Sequence, residues 1–476
     1  MANHNNDIKL NEKQQEALDL VKRGRNVFIT GSAGVGKSMV IDHITHWCRE
    51  NNKKIMVTAT TGVAAANING STLHSWAGIG LGKNTHAKMN EAEVEREIRK
   101  RAHYIKNKEE SYSRYVDTDV LVIDEISMLD YEFMGKVDKI AKLLRKCGKP
   151  FGGIQLIMTG DFFQLGPIQK ERKTSKYLFE DDIWNVIVQD SIHLTEVYRQ
   201  SSSEFIDMLH KIRIGNMDES IVTKIQGTMK NNLTNDLGII PTILFCKNAD
   251  VNAINLRGVD KLEGEEVKYK ALDFFKDDAM KELYKNSFTY HDSIVLKVGA
   301  QVMLVKNLDV KGKLVNGSRG VVTELIEDDP IDCPGGTVTV QFMDGKIRVI
   351  KPDTQDVKEE QMQRKGQVYQ EPVVIASRCQ FPLKLAYALT VHKLQGLSID
   401  YLHVDLKGAF SAGQAYVALS RATSFDTLKV TNFTSSCVKT SEQVKNFYNN
   451  IGNKRQRDPD DKQSISTYFK KVNVTK

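Results

Sequence analysis

No run of eighteen apolar residues occurs in this 476-residue chain, so nothing in it reads as a membrane-spanning helix. The opening MANHNNDIKL is polar and carries an acid, unlike a signal or transit peptide, so neither is expected. Cysteine is sparse. Cys48, Cys147, Cys246, Cys333, Cys379 and Cys437 lie far apart with no C-x-x-C pair, so neither a zinc site nor a disulfide framework is expected, and a reducing compartment fits. No internal repeat at a solenoid period is present. An excess of one charge is also lacking: 67 Lys and Arg against 60 Asp and Glu leave +7, which permits a polyanionic partner without identifying one.

What is there is globular. Apolar residues make up 41% and charged residues 27%, and the length implies two to four domains. From Leu10 to about Leu194 helical and strand patterns alternate: an amphipathic segment, a strand over Asn26–Thr30, a helix from Lys37 and a strand over Lys54–Thr58. Val120–Ile123 and Ile154–Met158 add short apolar runs that end in polar residues. This is the α/β rhythm of a parallel sheet, with chemistry expected at the C-terminal edge of its strands. Lys83–Arg114 is helical with mixed charge, and reads either as a solvated helix face or as an insertion on the first domain rather than core. From Leu296 to Ile350, Asn316-Gly317 and Asp344-Gly345 separate short alternating runs, predicting a small antiparallel barrel.

Residues 31–38 read GSAGVGKS, matching G-x-x-x-x-G-K-[ST] between a strand and a helix. Gly31, Gly34 and Gly36, with Ser32, Ala33 and Val35 between them, let backbone N–H groups curl around phosphates. Lys37 neutralises the outer phosphate oxygens, and the Ser38 hydroxyl can ligate Mg²⁺, so ATP with Mg²⁺ is the expected cofactor pair. In LVIDEIS, Asp124 and Glu125 stand at the end of an apolar strand. Asp124 would hold the metal and Glu125 would orient and deprotonate the attacking water. TGDFFQLGP offers Gln164 as a contact to the γ-phosphate that reports its loss to Asp161 and the neighbouring aromatics; the alternative is a turn with Phe162 and Phe163 buried.

These segments together resemble the petite integration frequency (PIF) DNA helicases and their RecD-like and Dda-like relatives, the 5′-to-3′ branch of helicase superfamily 1. The resemblance covers nearly the whole chain. LNEKQQEAL is similar to the family's adenine-reading segment, with Gln14. Val57–Gly82, VTATTGVAAANINGSTLHSWAGIGLG, is similar to its single-strand-contacting motif, and Phe205–Gly215 to its signature segment. LTEVYRQ carries Arg199, FPLKLAYALTVHKLQGLSID carries Thr390, His392, Lys393, Gln395 and Gly396, and AYVALSRATS carries Arg421, in the manner of the last helicase motifs. One departure is Gly166, where the family usually has a proline before Pro167; this would loosen the turn after Gln164, with coupling expected to survive. The chain begins almost at its adenine-reading segment, as a minimal motor would.

The resemblance implies an α/β fold of two RecA-like P-loop domains with a small wedge insertion and a β-barrel insertion. The first domain is expected over 1–195, with the wedge at 83–114; the second over 196–290 and 379–451, with the barrel at 291–378; a tail follows at 452–476. It also implies that ATP sits between the two domains, bound by residues 31–38, Gln14 and Gly396, with Arg199 and Arg421 as fingers that stabilise the γ-phosphoryl transition state. On composition alone those arginines would read as surface ion-pair residues. Single-stranded DNA would run over Thr60, Thr61 and His74 on the first domain and Thr390, His392 and Lys393 on the second, contacts that suit phosphates without reading sequence. Outside this motif, His74 and His392 would read as structural histidines, and Trp76 as core rather than a stacking platform.

From Asn453 the chain turns polar and charged, and KQSISTYFKK follows. Ile465, Tyr468 and Phe469 have the spacing of a short sliding-clamp-binding peptide, with Lys462 in place of the usual glutamine; equally they could pack the chain end onto the motor. A clamp peptide would place the protein in a eukaryotic, archaeal or large-virus replication setting. The expected whole is a soluble, intracellular, monomeric motor on single-stranded and forked DNA. The competing readings are a nucleic-acid-stimulated ATPase that remodels protein or RNA, and a switch or clamp-loading ATPase, the latter without ALTVHKLQG or YVALSR strings.

Overall fold

The computed structural model describes residues 9–79, 91–167, 176–233, 240–246, 251–285, 288–306, 308, 309, 314, 316–327, 335–359, 373–391, 399 and 401–453. The chain divides into two units, the first running to Tyr198 and resuming at Thr440, the second being Arg199–Lys439.

In the first unit, six strands form one parallel sheet: β1 (Val27–Gly31), β2 (Ile55–Ala59), β3 (Ser71–Thr72), β4 (Val120–Asp124), β5 (Gln155–Gly160) and β6 (Asp190–Leu194), in the spatial order β3-β2-β4-β5-β1-β6. The apolar runs of β1 and β4 are buried along their whole length, as strands covered on both faces must be. Their alternation divides the side chains between two cores. Phe28, Leu121, Ile123, Leu156 and Met158 face one layer, and Val27, Ile29, Val120, Val122 and Ile157 the other.

The second layer is closed by α1 (Glu12–Lys22) and α2 (Lys37–Glu50). α1 starts with a capping box, in which Asn11 accepts from the Gln14 N–H at 2.8 Å and Gln14 returns a bond to the Asn11 N–H at 3.0 Å. After α2 come the short α3 (Gly62–Asn67) and α4 (Leu73–Ala77), then α5 (Glu91–Lys106), α6 (Glu109–Asp117), α7 (Tyr131–Arg145) and α8 (Asp182–Ile187). Within the expected insertion, residues 83–90 lie outside the described residues, but Ile98, Ala102 and Ile105 of α5 are buried in the first core. That stretch was expected to stand apart from the core. Its mixed charge lies on the outer face only, and the apolar face packs beside α7.

The helix Glu442–Asn453 also departs from expectation. The expected second domain runs to residue 451, yet this helix belongs to the first unit, where Val444 enters the first core and the partly buried Phe447, Tyr448 and Ile451 pack against it. Phe447 stacks on Phe179 at 4.2 Å between centroids and meets Phe162 edge-on at 5.3 Å. An aromatic cluster of this kind decides where an amphipathic helix docks, whatever its place in the sequence.

The second unit holds a four-stranded parallel sheet of Ala388–Thr390, Thr242–Phe245, Leu402–Asp405 and Leu428–Thr431, in that order. Its antiparallel part is wider than the span 291–378 read from the turns. A five-stranded sheet runs from Gln301–Leu304 to Leu383–Leu385, and Val267–Lys270 and Leu272–Phe275 pair with strands of the later segment. Cys379 is disulfide-bonded, while Cys48, Cys147, Cys246 and Cys437 are free. No disulfide was expected, because spacing carries no information about which thiols the fold brings together. Among the described residues no helix is long and apolar enough to cross a membrane.

Candidate nucleotide site and nucleic-acid surface

β1 delivers the chain to the loop at Gly31, and the loop ends where Gly36 precedes α2 with φ +80°. Two glycines there are demanded by the backbone, Gly31 by close approach to a carbonyl and Gly36 by its left-handed φ. A Cβ on Gly31 would sit 2.5 Å from the Leu194 carbonyl oxygen, and one on Gly36 would sit 2.6 Å from Gln14 Nε2. Lys37 Nζ donates to the carbonyls of Gly31 (2.8 Å) and Ser32 (3.0 Å), which folds its cation over the loop. Ser32, Ala33 and Val35 are buried, Gly34 is half-buried and Ser38 is exposed in the first turn of α2. The loop therefore aims its N–H groups and one cation at the start of a fourteen-residue helix, a site for phosphate.

Gln14 is 3% exposed and is tied to this loop, since Nε2 donates to the Val35 carbonyl at 3.3 Å. Sequence reasoning missed its neighbour Tyr198. That residue donates its backbone N–H to the Gly34 carbonyl at 2.9 Å, and its hydroxyl is held by Asn11 Nδ2 and by Glu196, each at 2.8 Å. The ring stays 58% exposed. Fixed at both ends and open on its face, it can cover a flat base beside the phosphate loop.

Asp124 and Glu125 stand where β4 ends, both largely buried. Thr159 donates its hydroxyl to Asp124 Oδ1. Burial pushes the Asp124 carboxyl above the usual carboxylate range, while the Thr159 hydroxyl, the Glu125 backbone and the Lys37 ammonium pull it back. Glu125 adopts φ 54°, ψ 44°, left-handed backbone that an L residue enters only under constraint. One constraint comes from the other motif: Thr60 donates its N–H to the Asp124 carbonyl at 3.2 Å and its hydroxyl to the Glu125 carbonyl at 2.9 Å. Among the described residues no group of three or more His, Cys, Asp or Glu could hold a metal ion by itself. A single carboxylate with a serine hydroxyl suits Mg²⁺, which keeps waters and takes phosphate oxygens as ligands.

Beyond β5, the Gln164 N–H donates to the Asp161 carbonyl at 2.9 Å, and Phe163 N–H to Asp161 Oδ1 at 3.2 Å. Phe162, Phe163 and Gln164 are all buried. A Cβ on Gly166 would lie 3.3 Å from the Tyr177 ring, so the turn with glycine in place of proline is braced by an aromatic side chain. Tyr448 reaches the same turn from the C-terminal helix, a second residue missed in the sequence because nothing local marks it.

On the candidate strand-contacting surface, Thr61 caps α3 by accepting from the Ala64 N–H at 3.2 Å, and the half-buried His74 ring lies 4.1 Å from that of Phe133. Trp76 is 1% exposed and packs within the core. In the second unit, Thr390 ends its strand and is 3% exposed. Arg199 and Arg421 meet at one residue: Arg199 Nη1 donates to the Ser420 carbonyl at 3.3 Å, and Arg421 Nη2 to Ser420 Oγ at 3.0 Å. Arg421 is 1% exposed and also donates Nε–H to the Val417 carbonyl at 2.9 Å. His392, Lys393 and Gly396 lie outside the described residues, as do Ile465, Tyr468 and Phe469.

Residues 9–223 match the family described as PIF1-like helicase, and 281–325 match the 2B domain of the DNA helicase Pif1. The ATP-dependent DNA helicase PIF1 of Xenopus laevis is 38% identical over 448 residues, which are 94% of this chain and 65% of that protein. The chain thus spans just under two thirds of that relative's length. The crystal structure of Pif1 helicase from Candida albicans is 35% identical, covers 94% of this chain and 99% of its own, and superposes with a TM-score of 0.71. A Pif1 helicase from Bacteroides, crystallised in complex with ADP-AlF3 and ssDNA, is 26% identical with a TM-score of 0.64, covering 94% of this chain and 99% of its own.

Proposed function

Because this chain belongs to the PIF1-like helicase family, we propose that it is an ATP-driven translocase that moves 5′-to-3′ on single-stranded DNA and unwinds duplex during replication, repair or recombination. The observation that carries this reading is the bond between Thr60 and the Glu125 carbonyl, which joins the strand-contacting motif to the proposed catalytic base. The Bacteroides relative, crystallised with ADP-AlF3 and single-stranded DNA together, supports the same pairing of ligands.

In this reading Lys37 and the loop glycines bind the phosphates of ATP, while Gln14 and Tyr198 position the base. Ser38 and Asp124 would hold Mg²⁺, whose charge, when bound, offsets that of the β- and γ-phosphates. Glu125 orients the attacking water and accepts its proton, and Gln164 senses the γ-phosphate. Arg199 and Arg421 stabilise the charge of the transferring phosphoryl group. Gly396 completes the nucleotide set. Thr61, His74, Thr390, His392 and Lys393 grip the backbone of the strand without reading sequence. Residues 83–114 act as the wedge at a fork, the active motor is a monomer, and Ile465, Tyr468 and Phe469 tether the tail to a sliding clamp.

The test is ATP-dependent strand displacement on matched duplexes carrying a 5′ or a 3′ single-stranded tail, with Lys37→Ala as control. Displacement from the 5′ tail alone, lost in Lys37→Ala, is the expected result. Displacement from the 3′ tail alone would overturn the polarity, and DNA-stimulated hydrolysis without displacement would overturn the helicase reading.

A further inference from the structure

Tyr448 lies far in sequence from every nucleotide-binding motif, yet its hydroxyl stands at the junction of two of them. It is 2.7 Å from Thr30 Oγ1, on the strand residue before the phosphate loop, 3.1 Å from the Phe162 N–H and 3.3 Å from Asp161 Oδ1. A phenol has one hydrogen to give and two lone pairs to offer. The Phe162 N–H donates to the phenol oxygen and the phenol donates its hydrogen to Asp161 Oδ1, so toward the phenol the Thr30 hydroxyl acts as a second donor. All three partners are essentially buried: Thr30 and Asp161 at 0% and Phe162 at 1% exposure. The ring is fixed as well, stacked on Phe163 at 4.9 Å and 14° between planes.

The consequence reaches Gln164. Its N–H is bonded to the Asp161 carbonyl, and the side chain of the same aspartate holds the Phe163 N–H. Whatever fixes Asp161 therefore fixes the turn that presents Gln164. The helix carrying Tyr448 begins just after Lys439–Thr440, one of the two covalent links between the units. A displacement transmitted along that link would reach the phosphate-loop strand and the Gln164 turn through the packing of Phe447 and the Tyr448 ring and, as its hydrogen-bonded part, through the Tyr448 hydroxyl.

We infer that Tyr448 is a positioning residue that locks the Gln164 turn to the strand bearing the phosphate loop, so that the state of the γ-phosphate and the movement of the second unit are communicated through the C-terminal helix. The inference rests on the helicase reading and deepens it: it assigns the coupling element of the nucleotide site to a residue outside the helicase motifs. Tyr448 touches no nucleotide in this account. It should alter how hydrolysis is used, not whether ATP binds.

Tyr448→Phe keeps the ring and its stack on Phe163 while deleting the hydroxyl. Wild type and variant are compared for affinity toward a fluorescent ATP analogue, KM and kcat of DNA-stimulated hydrolysis, and strands displaced per ATP consumed. Expected are an affinity and a KM within about two-fold of wild type, with kcat and strands per ATP each lower by roughly 5–10-fold. Thr30→Val, which removes one partner and keeps the size, should move the same two quantities in the same direction. Unchanged kcat and coupling in Tyr448→Phe would overturn the inference. So would losses of affinity, KM and kcat in parallel, which a merely loosened fold produces. A wild type that hydrolyses ATP with DNA but displaces no strand would sink the helicase reading and leave the kcat comparison to decide this one.

Discussion

Tyr198 donates its backbone N–H to the carbonyl of Gly34 at 2.9 Å, so the residue at which the chain leaves the first unit is hydrogen-bonded to the phosphate loop. Its ring lies beside Gly36 with the hydroxyl anchored by Asn11 and Glu196.

Removal of that ring should therefore weaken nucleotide binding and leave the chemistry intact. Tyr198→Ala is expected to raise KM for ATP roughly 3–10-fold with kcat within about two-fold, and Tyr198→Phe to change KM far less. Steady-state hydrolysis over a range of ATP concentrations measures both. An unchanged KM in Tyr198→Ala would remove the ring from the base site.

The phosphate loop is held shut by backbone, and backbone cannot yield as a flexible side chain can. Gly31→Ala brings a Cβ to 2.5 Å from the Leu194 carbonyl at φ +152°, whereas Gly24, at φ +78°, has nothing within 4 Å of the corresponding position. Gly31→Ala should cost about 2–4 kcal/mol in urea unfolding and abolish nucleotide binding, against about 1 kcal/mol for Gly24→Ala with binding retained. Equal costs at the two positions would show that the close approach does not govern the loop.

Glu125 is placed by left-handed backbone and by the Thr60 hydroxyl on its carbonyl. Glu125→Gln keeps that geometry and removes the proton acceptor. Turnover should fall by about 100-fold or more, with the affinity for a fluorescent ATP analogue within about two-fold of wild type. Normal turnover would take the role of base away from this residue.

The helix Glu442–Asn453 fills the first core through Phe447, which contacts Phe179, Phe162, Trp184 and Phe28. Phe447→Ala should destabilise the first unit by about 3–5 kcal/mol, seen as faster amide exchange in Val27–Gly31 and Gln155–Gly160. Exchange that stayed slow in both strands would mean the helix is dispensable to that core.

The parts of the site most legible in the sequence are those where local geometry restricts the residue. Gly31 is required by a backbone contact under 3 Å and Gly36 by a left-handed φ, and the acids after an apolar strand begin at residue 124, where β4 ends. The strand read as Asn26–Thr30 is found at Val27–Gly31, one residue on, because apolar runs mark a buried strand better than its ends. What was illegible is long-range. Tyr198, Tyr448, the docking of the C-terminal helix and the disulfide at Cys379 each depend on a partner distant in sequence, and periodicity carries no signal of that. Trp76 shows the opposite limit: a motif drew attention to a ring whose burial in the core makes it structural.

The central claim is movement along single-stranded DNA driven by ATP at the Lys37 loop, and translocation can be measured without any duplex. Streptavidin is bound to a biotin at either the 3′ or the 5′ end of an oligonucleotide, and its release is followed after ATP is added with free biotin as trap. The account predicts ATP-dependent acceleration of release from the 3′ end, none above background from the 5′ end, and loss of the effect in Lys37→Ala. Release from the 5′ end alone, or none from either end while DNA still stimulates hydrolysis, would contradict it.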